Sequence, residues 1–148
     1  MDAIDVVMIH QLLGEYGHAV DAADWSTFSD LFIADAELDY TAVRAPAVLH
    51  GLDEIIEYFR AGNHPAAHHV TNIVVREEDG AVQVHSKFLV PFTRPTHSPH
   101  RWYGGDYHDT VVFSEGRWRF ARKVCTPRWQ FTAAPFDDGE IASYRRSF

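Results

Sequence analysis

Residue 68 divides this chain of 148 residues into two patterns of hydrophobic spacing, and that division limits the possible folds more than any other feature. Before it, apolar residues recur at helical intervals; after it come Val-rich runs separated by turn residues. Helices gathered ahead of meandering strands predict an α+β domain, a cone-shaped barrel of curved, mainly antiparallel sheet wrapped around N-terminal helices. No internal repeat, low-complexity run or linker divides the chain, so residues 1–148 read as a single domain.

In the first half, Met8, Ile9, Leu12, Leu13, Tyr16 and Val20 have the spacing of a helix with one buried face. Asp21 falls in its last turn, where a carboxylate faces the negative end of the helix dipole at a cost of roughly 0.3–1 kcal/mol. Stability alone does not recommend that position. Asp24 reads as the N-cap of a short second helix through Trp25, Phe28, Leu31 and Phe32. Ala36–Val43 reads as a strand ended by Ala45-Pro46. A third helix is expected from Asp53 to Arg60, with Ile55, Ile56 and Phe59 inward. The second half predicts strands over His68–Arg76, Ala81–Phe92, Trp102–Phe113 and Arg117–Cys125. Asp79-Gly80 and Ser114-Glu115-Gly116 are the hairpin turns, Thr93–His100 is a loop, and the aromatic tail from Thr126 is irregular.

A formal charge of -8 argues against nucleic acid or an anionic membrane as the main partner, since both need concentrated Lys and Arg. Cys125 is the single cysteine, which excludes an internal disulfide and fits a reducing compartment. The acidic start Met1-Asp2-Ala3-Ile4-Asp5 and the lack of a long apolar run point to a cytoplasmic protein. Aromatic residues make up 14% of the chain. They suit a roomy interior, and a cone with Tyr40, Tyr103, Tyr107 and the His68 region available would hold a pocket for a small molecule.

Glu15, Asp21, Asp24-Trp25 and Asp39-Tyr40, then His68, Val90-Pro91, Gly116, Trp118, Phe120-Ala121 and Arg128-Trp129, together resemble the SnoaL-like division of the nuclear transport factor two-like cone folds. Within it the pattern is most similar to the scytalone dehydratases. His68-His69-Val70-Thr71-Asn72 also resembles the histidine strand of the hexachlorocyclohexane dehydrochlorinases, and bile-acid dehydratases of this fold share equivalents of Tyr16, Asp21 and His68. The resemblance implies a cofactor-independent lyase with an Asp21–His68 dyad as general base and Tyr40 as donor to a carbonyl oxygen. It implies a substrate pocket walled by Tyr16, Val20, Phe92, Tyr103, Gly105, Tyr107 and Trp129, and a homo-oligomer, dimer or trimer. The scytalone contacts are replaced: Val20 stands where those enzymes place a second tyrosine, Phe92 where they place a histidine, and Gly105 and Tyr107 where they place Ser and Asn. The substrate is then a different small cyclic or polyketide-derived carbonyl compound.

In such a dyad, the carboxylate holds the imidazole in one tautomer while the other ring nitrogen removes a proton from carbon. Loss of a β-hydroxyl would make the enzyme a dehydratase; without a leaving group the same residues would isomerise or cyclise. The bland alternatives are a solvated helix-end Asp21, a sheet-end His68 and a core Tyr40; a third function class is a non-catalytic binding protein resembling an oxygenase small subunit. His97, His100 and His108 could join His68 and His69 around a metal, but no helical His pair or cysteine pair sets ligand geometry, and no metal is expected. Cys125 has no activating context. Arg128 could meet an anionic substrate group or stack on Trp129.

Overall fold

The structure, a computed structural model, describes residues 1–43, 45–62, 67–78, 80–92 and 100–133. Helix α1 spans Ala3–Asp21 and starts from a capping box, the Asp2 carboxylate accepting from the Ile4 and Asp5 amides while Asp5 accepts from the Asp2 amide. Its inner face is Ile9, Leu12, Leu13, Tyr16, Gly17, Ala19 and Val20. Met8, expected on that face, is exposed instead, because the stripe is carried by the 9-12-13-16 row one step further round. Asp24 caps α2 (Trp25–Asp30) through the Thr27 amide, as expected. Phe32 is not in that helix. It opens β1 (Phe32–Asp39), which begins four residues earlier than the sequence suggests.

β1 also ends sooner. The Asp39 carboxylate accepts from the Thr41 amide and hydroxyl, and this side-chain turn diverts Thr41–Val43 into a short 3-10 helix. A two-residue strand β2 (Leu49–His50), not foreseen, precedes α3 (Leu52–Ala61). Then follow β3 (His69–Glu78), β4 (Ala81–Phe92), β5 (His100–Ser114) and β6 (Arg117–Ala133). Glu115 and Gly116 turn the last hairpin at φ 51° and 81°, a left-handed pair that suits the twist of the strands it joins.

The six strands lie in the order β2-β1-β6-β5-β4-β3. Every pairing is antiparallel except β1 with β6, which is parallel, so the sheet is mixed and open rather than a closed barrel. The helices cover its concave face, and Tyr16, Phe28, Phe59 and Phe120 are buried between the layers. β6 is longer than the sequence suggests. Residues Thr126–Ala133, expected to be irregular, continue the ladder with β5 from Asp106 back to His100. Pro127, which has no amide hydrogen to donate, is accommodated where the register shifts between Gly104 and Gly105.

Candidate active site

Asp21 is the last residue of α1, and His68 directly precedes β3, so the two meet where helix end and sheet end converge. His68 Nδ1 lies 2.5 Å from Asp21 Oδ1, and the His68 backbone amide donates to Asp21 Oδ2 at 2.8 Å. Both carboxylate oxygens are thus engaged by one residue, which offsets the poor helix-end position. The His68 side chain is only 7% exposed and that of Asp21 20%. Burial pushes the Asp21 carboxyl up, but hydrogen bonds from the His68 ring and amide, with the charges of His68 and His18, leave it below its ordinary value. Gly17, one turn before Asp21, permits this approach: a Cβ there would stand 3.3 Å from His68 Cβ. His69 points the other way and is exposed, as strand alternation requires.

Beside the dyad stand three buried tyrosines. The hydroxyls of Tyr16 and Tyr40 are 2.7 Å apart in a shared hydrogen bond. The Tyr16 ring is edge-on to His68, with centroids 6.1 Å apart and planes at 80°. Tyr40 stacks on Tyr107 at 6.5 Å, and Tyr107 on Phe88 at 4.6 Å. Burial, the largest influence, raises the ionisation of all three phenols well above the usual value, so they remain protonated donors at neutral pH. Val20 is buried on α1, and Tyr103 is partly buried against the same core.

Of the other expected wall residues, Gly105 borders Phe88 in the same cluster and Trp129 lies on the opposite face of the sheet. Gly105 does not open a space: a Cβ on it would meet the Thr126 carbonyl oxygen at 2.2 Å and Phe88 at 2.9 Å, so it is closed in by the β6 backbone. Its neighbour Gly104 therefore faces the outer side of the sheet, and the Trp129 indole lies across it. Trp129 stacks on Phe131, and Phe131 on the half-buried Trp102, with Trp129 and Phe131 exposed on the face opposite Asp21 and His68. Inward alternation from Lys123 and Cys125 would put Trp129 inside. The extra residue Arg128, at the register shift, turns it out. Arg128 itself donates to Asp106 on that outer side, where His85 and Lys87 also converge. The Phe92 side chain, His97, the His100 side chain and the tail beyond Ala133 lie outside the described residues.

Two buried charges escaped the sequence reading. Asp109 and Lys123 face each other across β5 and β6, Lys123 Nζ donating to Asp109 Oδ2 at 3.0 Å. Their signal was present: each occupies an inward step of a strand whose neighbouring inward residues, Tyr107, Val111 and Cys125, are apolar or aromatic. Among the described residues, no group of three or more His, Cys, Asp or Glu side chains could hold a metal ion. A groove of about 570 Å³ between α2, β1 and the β5–β6 turn, lined by residues such as Asp30, Asp35, Leu52 and Arg119, includes neither dyad residue nor any of the three tyrosines.

Helices packed into the hollow of a curved, open, mixed sheet, with polar side chains gathered at the helix end, define the cone-shaped α+β class of nuclear transport factor two-like and cystatin-like folds. The chain belongs to the SnoaL-like family, whose domain it matches over residues 2–124. Among solved structures it is similar to a candidate scytalone dehydratase from Novosphingobium aromaticivorans, at 22% identity and a TM-score of 0.75 over 90% of this chain and 93% of that one. A candidate aromatic ring hydroxylase from the same organism shares 22% identity and a TM-score of 0.77, over 90% and 96% of the two chains. A type 2 hexachlorocyclohexane dehydrochlorinase shares 14% identity and a TM-score of 0.74, over 88% and 89%. No curated protein matches the sequence.

Proposed function

We propose that the protein is a cofactor-independent lyase that performs dehydratase-type elimination on a small cyclic or polyketide-derived carbonyl compound in the cytoplasm. The 2.5 Å contact between His68 Nδ1 and Asp21 Oδ1 carries this reading. With Nδ1–H donated to Asp21, the neutral ring offers Nε2 as the base that removes a proton from the carbon next to the carbonyl. Asp21 then stabilises the imidazolium that forms. Of the two protons on the Tyr16–Tyr40 hydroxyl pair, one closes the bond between them and the other is available to the developing enolate oxygen. Tyr40 presents it in this reading. Departure of a β-hydroxyl, protonated by the imidazolium, yields an enone or an aromatic ring, and the dyad returns to its starting state.

The wall falls to Tyr16, Val20, Tyr103 and Tyr107, with Phe92 retained from the sequence reading. Similarity to a candidate dehydratase and to a dehydrochlorinase supports elimination, while similarity to a candidate hydroxylase keeps a non-catalytic oxygenase-subunit role as the competing reading. Deuterium exchange by NMR on a panel of cyclic ketones and β-hydroxyketones decides between them. Exchange in the wild type, lost in His68→Ala and Asp21→Asn, is the expected result; exchange that survives both substitutions refutes the dyad. Loss of one water from the product separates a dehydratase from an isomerase or cyclase that uses the same residues. A stable complex with a larger redox partner would favour the subunit reading. We also propose a homo-oligomer, which a monomeric mass by light scattering would overturn.

A further inference from the structure

The Asp109–Lys123 pair lies deep in the core, with side chains 0% and 1% exposed. Replacing such a pair by apolar residues of similar volume is often neutral or stabilising, so packing alone gives no reason for it. Its surroundings do. Lys123 Nζ lies 3.9 Å from the centroid of the Tyr107 ring, 4.3 Å from that of Tyr16 and 4.6 Å from that of Phe120. Tyr16 is the ring that stands edge-on to His68 and whose hydroxyl meets Tyr40.

We propose that Lys123 is a positioning residue: its ammonium, anchored by Asp109, acts through the Tyr16 ring so that Tyr16 donates to Tyr40 and Tyr40 keeps a proton for the substrate oxygen. The proposal rests on Tyr40 being the carbonyl donor of the reading above. When two phenols share one hydrogen bond, the more acidic one donates. A cation over the ring face is attracted to it, and more strongly to the phenolate, so it makes the phenol beneath it more acidic. Among the described residues, the ammonium lies over the rings of Tyr16, Tyr107 and Phe120, and not that of Tyr40. Cys125, Asp109 and Tyr58 work against Tyr16 ionisation. Asp109 Oδ1 has no hydrogen-bond partner among the described residues, so this carboxylate's visible polar engagement is with Lys123 alone.

The test replaces Tyr16 by difluorotyrosine, whose fluorine NMR signal reports ionisation in an accessible pH range. The probe is expected to be severalfold more acidic in the otherwise native protein than in Asp109→Asn/Lys123→Met, less than the one unit or more that a lone opposite charge would give, because the double variant also removes the opposing Asp109 carboxylate. Equal acidity in two proteins with matching melting curves overturns the proposal. If the double variant does not fold, nitrogen NMR of Lys123 Nζ in the native chain decides: an ammonium at pH 7 is required, and a neutral amine overturns the proposal. Neither measurement contains a substrate. A probe shift together with ketone exchange that survives His68→Ala and Asp21→Asn sinks the dyad and leaves the effect of Lys123 on Tyr16; exchange lost in both variants without a probe shift does the reverse.

Discussion

Gly17→Ala should leave the protein as stable as before while slowing it, because the added methyl acts on His68 and little else. Gly17 is interior to α1, where alanine is favoured over glycine by about 1 kcal/mol. Against that gain, the new Cβ meets His68 Cβ at 3.3 Å and the His68 carbonyl oxygen at 3.4 Å, so His68 must give way by a few tenths of an ångström. The crowding costs about as much as the helix gains, and the net change in unfolding free energy should stay within about 1 kcal/mol of zero. The dyad has less room. A retreat of that size would lengthen the 2.5 Å Nδ1–Oδ1 contact towards an ordinary hydrogen bond. If a 1 Å misplacement costs about a hundredfold, this one costs roughly five- to tenfold in the exchange rate. Urea denaturation supplies the stability, and the His68 ring N–H proton, observed by NMR, reports the contact without a substrate; it should move upfield. The reasoning is refuted if stability falls by more than about 2 kcal/mol, or if the ring proton and the exchange rate are both unchanged.

Asp21 titrates below its ordinary 3.8 in the folded state, so its share of stability is present above that pH and is lost as pH falls through the folded value. Asp21→Asn should therefore flatten the acid limb of stability, as measured by urea titrations from pH 5 downward; an unchanged limb would contradict the assigned hydrogen bonds. Gly105→Ala should destabilise by about 3 kcal/mol, since its Cβ would sit 2.2 Å from a backbone oxygen that no rotamer change can move. A melting temperature equal to wild type would show that the β6 bulge is more yielding than described. Burial pushes the Cys125 thiol up to about 12, so native protein at pH 8 should resist iodoacetamide and react only on unfolding. Rapid labelling of the folded chain would place Cys125 outside the core.

Some of this was decided locally and could be read without a structure. The α1 stripe, the Asp24 cap, the Ala81–Phe92 strand and the two hairpins rest on spacing and turn chemistry between near neighbours, and each stands where the residues placed it, Met8 of the stripe excepted. The meeting of Asp21 with His68 was legible only through family resemblance, because 47 positions separate the two and no periodicity links them. Strand alternation correctly sent His69 outward, yet the same rule failed at Trp129, because one bulged residue on β6 reverses every side chain beyond it. That bulge exists only because β5 offers Gly104 and Gly105 as partners. The parallel pairing of β1 with β6 and the extension of β6 to Ala133 are long-range pairings of the same kind. Local sequence thus determined that helices precede strands and where most of them lie, while the bounds of β1, the short β2 and the extension of β6 escaped it. Pairing partners, register, and the burial of Lys123 against Asp109 beneath the tyrosines were decided by tertiary structure, since they depend on the surface brought opposite, which no segment encodes alone.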